Sequence, residues 1–237
     1  MKNQMTLLLF AVVLMTGCIN RSDRSSDNFI TEEVDIGNIT ALSINGIIDL
    51  RLQQGDAPAM EIKGEQDAID GVKINTSGNR LEITYEAESG LFLNVKTPRI
   101  TLTLTDLTEL EFDGVGNFVM DEDFTIDAIK IRGSGIGNIQ LGMDAKSIDA
   151  RFDMMGNVKL SGSADSMILR NDGVGQIDAG QLIVQNLDLT SSGIGRIDVH
   201  CENELSISVN GIGSVSYSGN PTILKKEVNG IGKVTEK

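Results

Sequence analysis

From about residue 108 onward, the chain alternates apolar and polar positions around a recurring glycine pair. Gly-x-Gly stands at Gly114-Val115-Gly116, Gly135-Ile136-Gly137, Gly173-Val174-Gly175, Gly193-Ile194-Gly195, Gly211-Ile212-Gly213 and Gly230-Ile231-Gly232, and Met154-Met155-Gly156 fills the one gap. The first positions recur roughly every 18 to 21 residues, a length that suits one coil of a stacked β structure. Aligning on the first glycine produces columns. Six residues earlier stand Thr108, Ile129, Ile148, Met167, Leu187, Leu205 and Leu224; four residues later stand Phe118, Ile139, Val158, Ile177, Ile197, Val215 and Val234. Apolar residues at even offsets with polar ones between are the period-2 mark of strands with one buried face. No stretch beyond residue 100 keeps a helical period. The expected fold is therefore all-β, a parallel β-solenoid or β-helix-like stack of about seven Gly-x-Gly rungs.

The stretch before the repeats also alternates, less regularly. Leu50-Arg51-Leu52, Glu61-Ile62-Lys63, Val72-Lys73-Ile74, Leu81-Glu82-Ile83-Thr84-Tyr85 and Ile100-Thr101-Leu102-Thr103-Leu104 read as strands, and Ser77-Gly78-Asn79 reads as a hairpin turn. This part is expected to cover the N-terminal end of the stack, which would otherwise expose a strand edge.

The first residues follow another logic. Lys2 precedes the apolar run Met5–Met15, which is too short to span a bilayer and ends in Met15-Thr16-Gly17-Cys18. This reads as a lipoprotein signal with Cys18 as the lipidated residue, anchoring the chain to a membrane through several acyl chains. The alternative is an ordinary signal peptide with a chance cysteine. Residues Asn20–Asn28, rich in Ser, Asp and Arg, read as a solvated tether. The expected organisation is a signal peptide at 1–17, a tether at 18–33, an N-terminal β region at 34–110 and the repetitive solenoid at 111–237. Ile19 rather than Asp after the cysteine favours the outer membrane.

Composition narrows the function classes. Gly is abundant (26 residues) while Pro is scarce (3), which fits tight turns between strands. Trp is absent, so the core must be aliphatic. The net charge of -14 argues against a nucleic-acid partner. With Cys18 lipidated, Cys201 is left without a disulfide partner. The single histidine, His200, precedes it, and strand neighbours point to opposite faces, so the two cannot share a metal or a proton. No serine motif accompanies that histidine.

At this point the chain resembles a known family. The run from Asn45-Gly46-Ile47-Ile48-Asp49-Leu50 to Gly55, the Gly-x-Gly series, and Gly211-Ile212-Gly213-Ser214-Val215-Ser216-Tyr217-Ser218-Gly219-Asn220-Pro221 are similar to the head GIN domain family of auto-transporter adhesins, over about residues 34 to 237. The resemblance implies a β-helix-like fold in secreted or lipid-anchored envelope proteins, and it brings no catalytic residues. In the family the residue between the glycines is often small and polar. Here it is Val115, Ile136, Met155, Val174, Ile194, Ile212 and Ile231. If each strand runs straight through the motif, this column is an outer apolar stripe suited to a partner or to homo-oligomers. If the glycines turn a corner, the side chain can be tucked into the core. Both readings stay open.

Two further constellations carry candidate chemistry. Gly133-Ser134-Gly135-Ile136-Gly137 looks like a dinucleotide loop, but that loop must open a helix and here a strand follows. The period of a calcium-binding nonapeptide is half as long, so no cofactor or metal is expected. Arg132, Arg151 and Arg170 share one column, a candidate for anionic ligands, and Asp113, Asp153 and Asp172 lie two positions further on. Asp153 and Asp172 would lie one rung apart, near the spacing of a retaining carboxylate pair. An exposed Asp beside an Arg is more often a solvated ion pair. The expectation is a non-catalytic, adhesin-like envelope protein with an unidentified protein or glycan ligand. A structural or stress-related periplasmic lipoprotein is the alternative, and a glycan-active enzyme ranks behind both.

Overall fold

The computed structural model describes residues 29–86, 96–120 and 124–237. The signal peptide, Cys18 and most of the tether lie outside these residues. The strands are β1 (Ile30–Val34), β2 (Ala41–Ile47), β3 (Asp49–Gln54), β4 (Ala59–Gly64), β5 (Val72–Ser77), β6 (Arg80–Tyr85), β7 (Arg99–Leu104), β8 (Glu109–Met120), β9 (Phe124–Asn171), β10 (Val174–Ser191), β11 (Ile194–Val209), β12 (Ile212–Ser218), β13 (Thr222–Val228) and β14 (Ile231–Glu236). The fold is a parallel β-solenoid of about six turns with a less regular N-terminal sheet.

Register follows the glycine columns. Val115 pairs with Ile136, Val174 with Met155 and Ile194, and Ile212 with Ile194 and Ile231, all in parallel ladders. The column six before the glycine is buried at Ile129, Ile148, Met167, Leu187 and Leu205; the column four after it is buried from Phe118 through Val215. Each fully buried Ile or Leu contributes roughly 1.5–3 kcal/mol relative to exposure, so these columns are the core that holds the coils together. Bulk is shared across rungs. Phe112 and Phe118 pack with ring centroids 4.6 Å apart, and Gly133 lies between the rings of Phe112 and Phe152, where a larger residue would overfill the layer.

The N-terminal region does cap the stack, and it also contributes to it. β2 and β3 both pair in parallel with β8, with Gly46 opposite Gly114 and Ile47 opposite Val115. Residues 41–54 are thus a rung of their own, in which Ile48 replaces the second glycine. Beyond it, β2 is followed by β6 and the antiparallel β5, while β3 is followed by β7, then the antiparallel β4 and β1. The β5–β6 hairpin turns at Gly78, whose φ of +61° supplies the backbone sign a two-residue turn needs. One short helix, α1 (Gln66–Asp70), buries Ala68 and Ile69 between β4 and β5; five residues are too few for a readable helical period. Among the described residues no helix is long and apolar enough to cross a membrane.

The glycines are dictated by contact between backbones. A Cβ on Gly175 would land on the carbonyl oxygen of Gly156 one rung below, and its φ of +144° is strained for any L side chain. Gly180, in contrast, would meet only the tip of Asp178 at 3.5 Å. Gly175→Ala is expected to lower unfolding free energy by at least about 2 kcal/mol, while Gly180→Ala stays within about 1 kcal/mol of the natural protein. Urea unfolding of both variants checks the contrast, and equal effects would refute the backbone-contact account.

Candidate functional site

The outward positions of each rung follow from the alternation of the strands. In the later rungs the chain bends at the first glycine, at Gly173, Gly193, Gly211 and Gly230, so the motif is a corner. The residue between the glycines is nevertheless turned out. Val115 is 43% exposed, Ile136 53%, Met155 55%, Val174 46%, Ile194 49%, Ile212 48% and Ile231 76%. A corner was expected to tuck this side chain in. It does not, because any Cβ at the glycines would run along the stack into the rung below, and the residue between them is thrown outward. The result is a ladder of seven aliphatic side chains, roughly 29 Å tall at about 4.8 Å per rung.

Polar columns border the ladder. On one side stand Asp113, Ser134, Asp153, Asp172, Ser192, Asn210 and Asn229; on the other stand Asn117, Asn138, Asn157, Gln176, Arg196, Ser214 and Lys233. The asparagines stack. Asn138 Nδ2 donates to Asn117 Oδ1 at 3.2 Å, Asn157 Nδ2 to Asn138 Oδ1 at 2.9 Å, and Asn229 Nδ2 to Asn210 Oδ1 at 3.1 Å. These rung-to-rung amide bonds stiffen the borders of the ladder.

The arginine column is occupied by its own carboxylates. Arg132 holds Asp149 at 2.9 Å, Arg170 reaches the same carboxylate at 3.4 Å, and Arg151 holds Asp172 at 2.8 Å. The Arg132 guanidinium, hydrogen-bonded to Asp149, keeps that carboxyl below its ordinary value against a partial burial that pushes it up. A hollow of about 210 Å³ lies here, lined in part by Arg132, Arg151, Asp113 and Asp153. Asp172 is tied to Arg151 while Asp153 stays exposed, so the two carboxylates of the imagined pair have different surroundings.

His200 and Cys201 do face opposite sides. Cys201 is fully buried, its thiol 3.4 Å from the Gln185 carbonyl and 3.2 Å from that of Glu204. Burial pushes its titration up, away from the thiolate that nucleophiles and metal ligands require. His200 lies on the outer face and, against expectation, has a serine beside it: Nδ1 is 3.0 Å from Ser218 Oγ, and Nε2 faces the Glu202 carboxylate. A signal for this contact exists in the sequence, since His200 and Ser218 both stand seven residues after a first glycine. The Ser218 hydroxyl is also 3.4 Å from the Val199 carbonyl. These groups lie along the outer side of β11 and β12, paired across neighbouring rungs. Elsewhere, burial pushes the Asp198 carboxyl up, but hydrogen bonds from Lys237 and Arg196 together outweigh it and hold the group below its ordinary value. Among the described residues no group of three or more His, Cys, Asp or Glu is placed to hold a metal.

The family described as "putative auto-transporter adhesin, head GIN domain" matches residues 38–221. The crystal structure of a putative adhesin from Bacteroides fragilis superposes with a TM-score of 0.84 at 25% identity, covering 90% of this chain and 98% of that one. A putative lipid binding protein from Parabacteroides distasonis gives 0.69 at 19% identity over 90% and 98%. A putative adhesin from Parabacteroides merdae gives 0.59 at 18% over 90% and 97%. The last two show the shared fold. No curated protein matches.

The Asp149 contact has a measurable consequence. Its carboxyl titrates below the unfolded value of about 3.9, so its stabilisation is complete above that pH and is lost as pH falls through the lower folded value. Arg132→Gln should raise the Asp149 titration point in a carboxyl NMR experiment. It should lower stability at pH 7 by less than about 1 kcal/mol, because both side chains are partly solvated. The difference from the natural protein should vanish once the pH has fallen below the folded titration point of Asp149. A difference that persists there would mean that Arg132 acts through packing instead.

Proposed function

Because the chain belongs to the head GIN domain family, we propose that it is a cell-envelope protein that works by binding, and that the exposed aliphatic ladder is its contact surface. The observation that carries this reading is the exposure of all seven residues between the glycines, Val115, Ile136, Met155, Val174, Ile194, Ile212 and Ile231. A row of exposed aliphatics rimmed by polar columns is the pattern of a partner surface, since the strand propensity of Val and Ile at solvent-facing positions is met as well by the polar, β-branched threonine. The ladder contains no aromatic ring on which a sugar could stack, so a protein partner suits it better than a glycan. A second copy of the chain is one such partner.

The reading includes a lipid anchor at Cys18, which places the solenoid beside a membrane through a short tether and puts the chain at the outer membrane. It takes the chain as non-catalytic, because adhesins are the family's description and that description names no reaction. Cys18→Ser should release the chain from the membrane fraction and abolish acyl labelling. A variant that remains membrane-bound would remove the anchor from the account.

The surface itself is tested by Ile136→Thr, Met155→Thr, Val174→Thr and Ile194→Thr combined in the full chain. Threonine keeps strand propensity, so each change should move stability by no more than about 0.5 kcal/mol. Adherence of cells carrying the chain to protein-coated surfaces should fall at least tenfold. Unchanged adherence would reject the ladder as the contact surface. Protease treatment of intact cells tells which side of the membrane the solenoid faces: resistance there, with cleavage after permeabilisation, would replace the adhesin reading with a periplasmic accessory role.

A further inference from the structure

We propose that the hollow on the outer face of β3, β7 and β4 is an anion site that takes one phosphate, sulfate or carboxylate group of a larger ligand. The argument begins with pairing. β4 and β7 run antiparallel with Lys63 directly opposite Arg99, and β7 runs parallel to β3 with Thr101 beside Arg51. Ile62, Ile100 and Leu50 of the same strands are buried, so Lys63, Arg99 and Arg51 project from the opposite face. They line a concavity of about 490 Å³ together with Asp49, Glu61, Thr101, Asn117 and Val119.

Opposed residues on antiparallel strands bring their Cβ atoms to about 5 Å, and like charges there destabilise the sheet. Most solvated cations of this acidic chain are matched with carboxylates, as at Arg80–Glu109, Lys96–Glu65, Lys130–Glu109 and Lys146–Asp127. Among the described residues no carboxylate is paired with Lys63 or Arg99, and both are exposed. The Arg99 guanidinium is instead 5.7 Å from the ring centre of Phe29, which steadies it without neutralising it. Of the two carboxylates in the hollow, Asp49 already accepts from the backbone N–H of Asn117 at 2.9 Å and from its Nδ2 at 3.0 Å. Glu61 stands opposite Thr101 and two residues from Lys63, on the same face, yet forms no ion pair with it.

An anion between Lys63 and Arg99 would turn their repulsion into two charge-assisted hydrogen bonds. The planar guanidinium could grip two oxygens, and the Thr101 hydroxyl offers a neutral donor nearby. Two unpaired cations match a single anionic group, and too few line the hollow for a polyanion such as nucleic acid. The site is independent of the aliphatic ladder, although Asn117 and Val119 belong to β8, the strand that carries Val115.

The test uses the full chain at constant ionic strength, with inorganic phosphate and then sulfate titrated against chloride. Amide shifts of Thr101 and Asn117 should move saturably, and the melting temperature should rise with occupancy as linkage requires. Lys63→Gln with Arg99→Gln should weaken binding at least tenfold and, without phosphate, melt higher than the natural protein because the repulsion is gone. Lys226→Gln with Lys233→Gln, on exposed strands at the other end, should bind as the natural protein does. Absence of a saturable response in the natural protein, or an equal response in the Lys63/Arg99 variant, overturns the proposal. Glycerol phosphate and a sulfated disaccharide then distinguish the carrier: whichever binds more tightly than its inorganic ion identifies a lipid head group or an acidic glycan, and equal binding by all identifies the bare oxyanion.

Discussion

Parallel rungs stack about 4.8 Å apart, and at each corner of this solenoid that distance is taken up by backbone against backbone. At Gly175, Gly195 and Gly213, the space where a Cβ would sit is filled by the carbonyl of the glycine one rung below. The consequence reaches beyond the corner itself. Once the glycines are fixed in register, the positions around them stand above their counterparts, until a register shift such as that between Ala179 and Ile183 resets the alignment. The aliphatic core columns, the asparagine stacks and the exposed ladder are all results of that registration.

The same constraint explains how an apolar residue comes to be exposed at every corner. Strand alternation alone assigns residues to two faces, and a bend disturbs the assignment locally. Here the glycines occupy the positions whose side chains would point along the stack, leaving the residue between them only the outward direction. A Val or Ile in that place is about half exposed and is not among the buried residues of the core. Its repetition in seven rungs is therefore not a packing requirement, whereas the glycines on either side of it are.

How much of this could be read in advance differs by element. The solenoid, its register and its buried columns were legible, because repeats separated by one coil length put the evidence for each column in plain sequence. The rung at residues 41–54 was harder: Gly46-Ile47-Ile48 keeps only one glycine, and the strands that continue it, β6 and β7, come from much later in the chain. Exposure of the ladder could not be decided from periodicity, since a corner and a straight strand predict opposite faces. The His200–Ser218 contact was legible from the shared offset, across rungs and not along the strand. The opposition of Lys63 and Arg99 was not, because no repeat links them and their antiparallel pairing is set by how the cap folds back.

Charge placement separates the two regions in a way that bears on ligand recognition. Within the parallel stack, a column of arginines would bring like charges one rung apart, and Asp149 and Asp172 relieve this by pairing with Arg132, Arg170 and Arg151. An external anion at that column would have to displace carboxylates already held by the protein, and the gain would be small at so solvated a surface. In the cap, the antiparallel return of β4 on β7 sets Lys63 against Arg99, with no carboxylate of the described residues paired to either. Repulsion left unrelieved in the free protein is stabilisation available to a ligand. The irregular N-terminal sheet, which closes the stack, is for that reason the better place for charged recognition, and the regular corner ladder the better place for apolar contact.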